Sequence, residues 1–256
     1  MSTNINWKQL LNLQSKEVIS IVGAGGKTTL MFTLARQLSE YNLNVISTTT
    51  TKIFYPSPQE TSIIIQGYHS NKPISFEQNK HITIINEILP NNKVKGFPAN
   101  TIDAWLEIPN INYIIVEADG ARRCDIKWPD ITKEPVIPKS TTTTIAVIGG
   151  DCFSKVLSES HVFRAQLFAQ KTQSKLGENL SLEAISRLFV NSDGLFANSP
   201  PNAKKIVFIN KIHSDRTKLA ISLAKIITKS CQSIKIFYGH LHPYISIKEF
   251  QDESQV

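Results

Sequence analysis

Residues 22–30 read VGAGGKTTL. They follow the β-branched run EVISI (17–21) and open a stretch in which Leu30, Met31, Leu34, Ala35, Leu38 and Tyr41 recur at helical spacing. A short β-branched run closed by glycine reads as a buried strand, and the periodic stretch as a helix from Lys27 to a stop at Asn42. Glycines at that junction let backbone N–H groups converge on an anion, and the helix N-terminus adds its positive end. The GxxxxGK[ST] pattern would need a glycine at Ile21, so the loop here is a shortened one, Gly23-x-Gly25-Gly26-Lys27-Thr28-Thr29. Gly23, Ala24, Gly25, Gly26, Lys27, Thr28 and Thr29 are therefore the expected nucleotide-binding residues. Lys27 reaches the β- and γ-phosphates, and the Thr28 hydroxyl ligates Mg²⁺. A glycine turn that merely contains Lys and Thr would not require strand, helix and Lys-Thr-Thr to coincide.

The pattern continues outward from this loop. INWKQLLNLQ (5–14) reads as a short leading helix, and NVISTTTTK (44–52) as a strand completing a βαβ unit. TSIIIQG (61–67) and HITIINEIL (81–89) read as strands around polar turn residues 67–80, giving an antiparallel excursion within residues 53–110. INYIIVEADG (111–120), TTIAVIGG (143–150), AKKIVFINK (203–211) and SIKIFYG (233–239) read as further strands. Helices are expected near 160–176, 181–190 and 214–229, a Pro-rich connection at 125–140, and fraying over 251–256. Alternating strands and helices predict one α/β domain over residues 1–256 with a mostly parallel sheet.

Composition narrows the function classes. With 41% hydrophobic and 19% charged residues the chain is globular rather than disordered. A formal charge of +7 favours an anionic partner, but the lysines are scattered without aromatic interleaving, which gives nucleic-acid binding no support. Cys124, Cys152 and Cys231 lie far apart with no CxxC pair, as suits a reducing cytosol. No signal peptide and no apolar run near the ~20 residues of a membrane span is present, so a cytoplasmic location without a membrane partner is expected.

Candidate chemistry gathers at strand ends. Glu117 and Asp119, two apart in IIVEADGA, point to the same face and are candidates to hold Mg²⁺ or position a water; with Lys27 they form the expected catalytic set. Gly120 is expected to let the backbone turn near a phosphate. Thr49, Thr50 and Lys52 end the next strand, where ligands of open α/β sheets collect. Arg122 and Arg123 could neutralise phosphoryl charge or be solvated loop charges, and Cys124 beside them reads as a spectator thiol sooner than as one of lowered pKa. FINKIH (208–213) is like the guanine-reading NKxD element, with Asn210 and Lys211 flanking a base. His213 stands at the aspartate's place, though, and a neutral imidazole lacks its two-acceptor edge, so ATP is slightly favoured over GTP. His240 and His242 have no partner at ligand spacing.

Taken together, VISIVGAGGKTTLMFTLA, VISTTTTKI, IIVEADGA, EPVIP and FINK, in that order over about residues 17–211, resemble the YqeC proteins, accessory factors of selenium-dependent molybdenum hydroxylases. The resemblance implies a three-layer P-loop NTPase-like fold and a role in maturing such a hydroxylase, with the hydroxylase or its cofactor-loading protein as partner. It also singles out Lys127 and Glu134. Three functions are expected on this basis: a Mg²⁺-dependent NTPase, a ligase or kinase with a loop similar to that of Mur-type amide ligases, or a non-catalytic nucleotide switch.

Overall fold

The computed structural model describes residues 5–68, 74–76 and 80–252. The turn expected within 67–80 and the tail 251–256 fall largely outside them.

A short helix α1 (Trp7–Leu10) precedes strand β1 (Glu17–Gly23), helix α2 (Lys27–Glu40) and strand β2 (Val45–Thr49). Short strands follow: β3 (Lys52–Phe54), β4 (Ile64–Gln66), β5 (His81–Ile85), β6 (Glu87–Leu89) and β7 (Lys93–Lys95). Then come α3 (Ala99–Ala104), β8 (Tyr113–Glu117), β9 (Ile126–Lys127), β10 (Thr141–Gly149), β11 (Val162–Phe163), α4 (Ala165–Thr172) and α5 (Leu182–Val190). The chain ends with β12 (Lys204–Asn210), α6 (Thr217–Ser230), β13 (Lys235–His240) and β14 (Ser246–Glu249).

Nine strands form one sheet in the order β14-β13-β12-β10-β1-β8-β2-β5-β4, parallel throughout except for the β13–β14 pair. β1 lies between β8 and β10, and all seven of its residues are buried, which is why it reads as an uninterrupted apolar run. Its side chains alternate between layers. Ile19 and Ile21 pack with α1 and α2, through Trp7, Leu30, Met31 and Leu34. Val22 packs on the other face with the apolar sides of α5 and α6, and Val18 with Ile102 and Trp105 around α3. Helices on both faces of a mostly parallel sheet make the three layers of an α/β fold. No helix among the described residues is long and apolar enough to cross a membrane.

Residues 53–110 depart from the expected pairing. β4 and β5 pair in parallel and extend the main sheet. The antiparallel excursion is instead a small β3-β7-β6 sheet, in which HITIINEIL contributes only its second half. The cause lies at Asn86, where the chain leaves β5: its N–H bonds to Lys95 O at 3.0 Å, beginning the small sheet. NVISTTTTK likewise breaks at 50–51 into β2 and β3. β14 follows SIKIFYG, the expected last strand, and pairs antiparallel along β13 from Phe237↔Glu249 to His240↔Ser246.

His81, on β5, is buried against Ser47 Oγ (2.8 Å) and the Phe32 ring, and burial pushes its pKa down from 6.5 to about 4. The folded state keeps it neutral where the unfolded chain would protonate it. Its contribution to stability is therefore complete above pH 6.5 and declines as pH falls toward 4, reaching a loss of about 3 kcal/mol. Urea unfolding of wild type and His81→Gln between pH 7 and pH 4 should show the two stabilities converging in acid; parallel curves would refute the assignment.

Candidate functional site

The loop after β1 is held against the end of β10. Gly23 and Gly25 have φ of +96° and +79°, and a Cβ on them would lie 2.2 Å from Val147 O and 2.1 Å from the Gly149 N. The first two glycines are thus required by this close backbone approach as well as by the left-handed conformation. Three loop N–H groups are engaged within the protein: Gly23 N–H donates to Asp119 Oδ2 (2.9 Å), Ala24 N–H to Val147 O (2.8 Å) and Gly25 N–H to Cys124 O (3.1 Å). The helix start differs. Gly26 is its N-cap with no side-chain cap, and Leu30 is the first residue bonded back, to Gly26 O at 2.9 Å. Lys27, Thr28 and Thr29 therefore present N–H groups without an intrahelical partner at the positive end of a 14-residue helix. Asn210 steadies the loop by donating from Nδ2 to Gly25 O (2.8 Å).

Both expected carboxylates meet this loop. Although β8 ends at Glu117, Asp119 also reaches Lys27, whose Nζ lies 3.2 Å from Asp119 Oδ1 and 3.6 Å from Glu117 Oε1 and donates to Gly23 O at 2.8 Å. Thr28 Oγ1 donates to Glu117 Oε2 at 2.6 Å. Lys27, Glu117 and Asp119 are buried, and Thr28 is half-buried. Burial alone would depress the Lys27 pKa, but the Asp119 and Glu117 charges overcome it and hold the ammonium above its ordinary value. Burial raises the Glu117 carboxyl, against the opposing pull of Lys27 and Thr28.

A second lysine extends the array. Lys127, on β9 and only 1% exposed, lies 3.0 Å from Asp119 Oδ2, donates to Gly120 O at 2.6 Å and pairs with Glu134. Glu134 also accepts from Gly120 N–H (3.1 Å) and from Arg164 Nη1 (2.6 Å). Burial would raise its pKa, but Lys127 and Arg164 bring it below the ordinary carboxylate value. The result is a chain of alternating charge, Lys27–Asp119–Lys127–Glu134–Arg164. It joins the start of α2, the end of β8, the β9 connection and the start of α4.

A cleft of about 550 Å³ opens over this array. Of the residues singled out in the sequence, Gly25, Gly26, Lys27, Thr28, Thr29, Lys52, Glu117, Arg122, Glu134 and Lys211 line it. Thr49 and Thr50 do not. Their hydroxyls donate to Glu117 O (2.7 Å) and Val136 O (2.7 Å), because a threonine at a strand end finds a neighbouring carbonyl before it finds a ligand. Gly120 is not needed for a tight turn: a Cβ there would meet only ordinary contacts at 3.9 Å. The Cys124 thiol is raised rather than lowered, first by burial and then by Asp125, so it is a poor nucleophile. Lys211 lines the cleft but pairs with Asp125 and, at 3.3 Å, with Asp151. Arg164, Phe163, Phe54 and Lys93 went unremarked in the sequence. The one available signal was an aromatic beside a cation in VFRAQ (162–166), too common to single out alone.

A family model described as YqeC protein matches residues 19–166, more than half of the chain. A curated relative from Escherichia coli (strain K12), carrying the name "Uncharacterized protein YqeC", is 36% identical over 211 residues, 80% of either chain. The chain belongs to the YqeC family.

Proposed function

We propose that this protein binds a nucleoside triphosphate with Mg²⁺ at the start of α2 and hydrolyses it, as an accessory factor in maturing a selenium-dependent molybdenum hydroxylase. The observation that carries the nucleotide reading is the uncapped first turn of α2. There, partnerless N–H groups, the charged Lys27 and the Thr28–Glu117 hydrogen bond of 2.6 Å meet at one end of the cleft. The hydroxylase role rests on the family resemblance alone. ATP is favoured over GTP because His213 cannot offer guanine the two acceptors of an aspartate.

The residues fit the cation. Thr28 Oγ1 and the Glu117 carboxylate are hard oxygen donors, and Asp119 Oδ1 is buried without an aligned hydrogen bond. Glu117, joined to Thr28, would hold Mg²⁺ or its water, while Asp119, tied to Gly23 N–H and two lysines, positions the loop. The bound ion would neutralise charge on the terminal phosphates. Lys27 would exchange its contact with Gly23 O for phosphate oxygens, and Glu117 would orient the attacking water.

Binding and steady-state hydrolysis of ATP and GTP, each with Mg²⁺ and with chelator, test the reading. Thr28→Ala should weaken Mg²⁺-dependent binding by about tenfold, the loss of one charge-assisted contact, and leave metal-free binding unchanged. A wild type that binds neither nucleotide would overturn the reading.

A further inference from the structure

Left-handed backbone at non-glycine residues follows two rules in this molecule. Among the described residues, five asparagines adopt it, all in turns and none lining the cleft, where a short side chain tolerates it well. Apart from Gln173 at the end of α4, the others are cations: Arg122 (φ 46°), Arg123 (65°), Arg164 (64°) and Lys211 (59°). Three of these four line the cleft, and the fourth pairs with Glu134, which lines it. A turn needing only this conformation would use Gly or Asn; strained arginines are retained for where they aim the side chain.

Arg164 and Lys211 have carboxylate partners. Arg122, Arg123, Lys52 and Lys93 have none within 4.0 Å among the described residues, and all four line the cleft. Aromatic rings hold three of them: Arg122 lies over Phe163 (5.0 Å to the ring centre), and Arg123 and Lys93 over Phe54 (4.4 and 5.5 Å). Phe54 is itself 43% exposed, so its ring is open at the cleft mouth to carry both cations. Cation–π pedestals fix charged groups that would otherwise have to be ordered on binding, so less entropy is lost when an anion arrives.

We propose that the cleft mouth, built from Lys52, Lys93, Arg122 and Arg123 on Phe54 and Phe163, is a second oxyanion site that takes the phosphate group of a small organic co-substrate. Four unpaired cations match a phosphate monoester dianion better than a single carboxylate, and guanidinium forks suit its oxygens. A concave cleft of this size suits a small molecule. The site shares its cleft with the nucleotide reading and gives it a second ligand, so that part rests on the reading. The anion site itself does not need a nucleotide.

The test is calorimetric titration of phenyl phosphate, at constant ionic strength, into protein saturated with Mg²⁺ and a non-hydrolysable ATP analogue. One equivalent should bind. The exposed-residue double variant Arg123→Ala/Lys93→Ala should weaken it by about tenfold or more, while affinity for the ATP analogue changes by less than about threefold. Lys27→Ala should do the reverse. Displacement of the analogue by phenyl phosphate, absence of binding, or equal binding to the double variant would each overturn the proposal. If the analogue fails to bind wild type, the nucleotide reading falls. Titration into free wild type, double variant and Lys27→Ala then still decides the mouth site, which requires Arg123 and Lys93 and not Lys27.

Discussion

Lys127→Met should lower the stability of the folded protein by about 3 kcal/mol, seen as an earlier urea midpoint with unchanged slope. The substitution keeps the side chain's bulk in a fully buried position but removes the ammonium that stands between Asp119 and Glu134. Two carboxylates then face each other across a site with little water. The loss sits at the low end of the range for breaking a buried pair because each carboxylate keeps other donors: Gly23 N–H and Lys27 for Asp119, Gly120 N–H and Arg164 for Glu134. Adding Glu134→Gln should recover part of the loss, since the pair is coupled. Lys171→Ala, which breaks the surface pair with Asp193, should cost under about 1 kcal/mol in the same assay. If the two lysine variants proved equally mild, the buried chain of charge would have no structural weight.

Lys27→Ala should behave in the opposite way, sparing the fold and removing the activity proposed for it. Nucleotide hydrolysis should fall by about 10²–10³-fold, the usual consequence of deleting one preorganised charge at a reacting phosphate. Stability should suffer less than in Lys127→Met. Asp119 retains Lys127 and Gly23 N–H, and Glu117, already raised by burial, can take up a proton instead of remaining an uncompensated anion. Without the opposing pull of Lys27, the Glu117 carboxyl should titrate higher in the variant than in wild type, measurable by following its carboxyl carbon through an NMR pH titration. Hydrolysis persisting at the wild-type rate would remove Lys27 from the site.

The sequence was most informative where the site is local. Lys27 and Thr28 follow the loop glycines directly, and Glu117 and Asp119 sit two apart on one strand end, so short-range pattern and strand geometry were enough to place them together. Lys127 and Glu134 were noticed only through family resemblance, because their partners come from separate segments and no local spacing encodes them. Arg164, thirty residues beyond Glu134, closes that chain and was invisible for the same reason. The Thr49 and Thr50 hydroxyls bond to backbone carbonyls, a use that a strand-end hydroxyl admits as readily as a ligand, and no local pattern separates the two. β14 was missed because an edge strand that is half exposed shows no run of buried residues.

The alternating charges also bear on how this sequence can drift. A random substitution at Asp119, Lys127 or Glu134 removes one partner from a buried charge, at a cost that is a sizeable share of a domain's net stability. A neutral path away from this arrangement would require paired changes, an acid and its base altering together. Descendants that had lost every use for the cleft would still inherit Asp119, Lys127 and Glu134 for many generations, because stability alone selects for them.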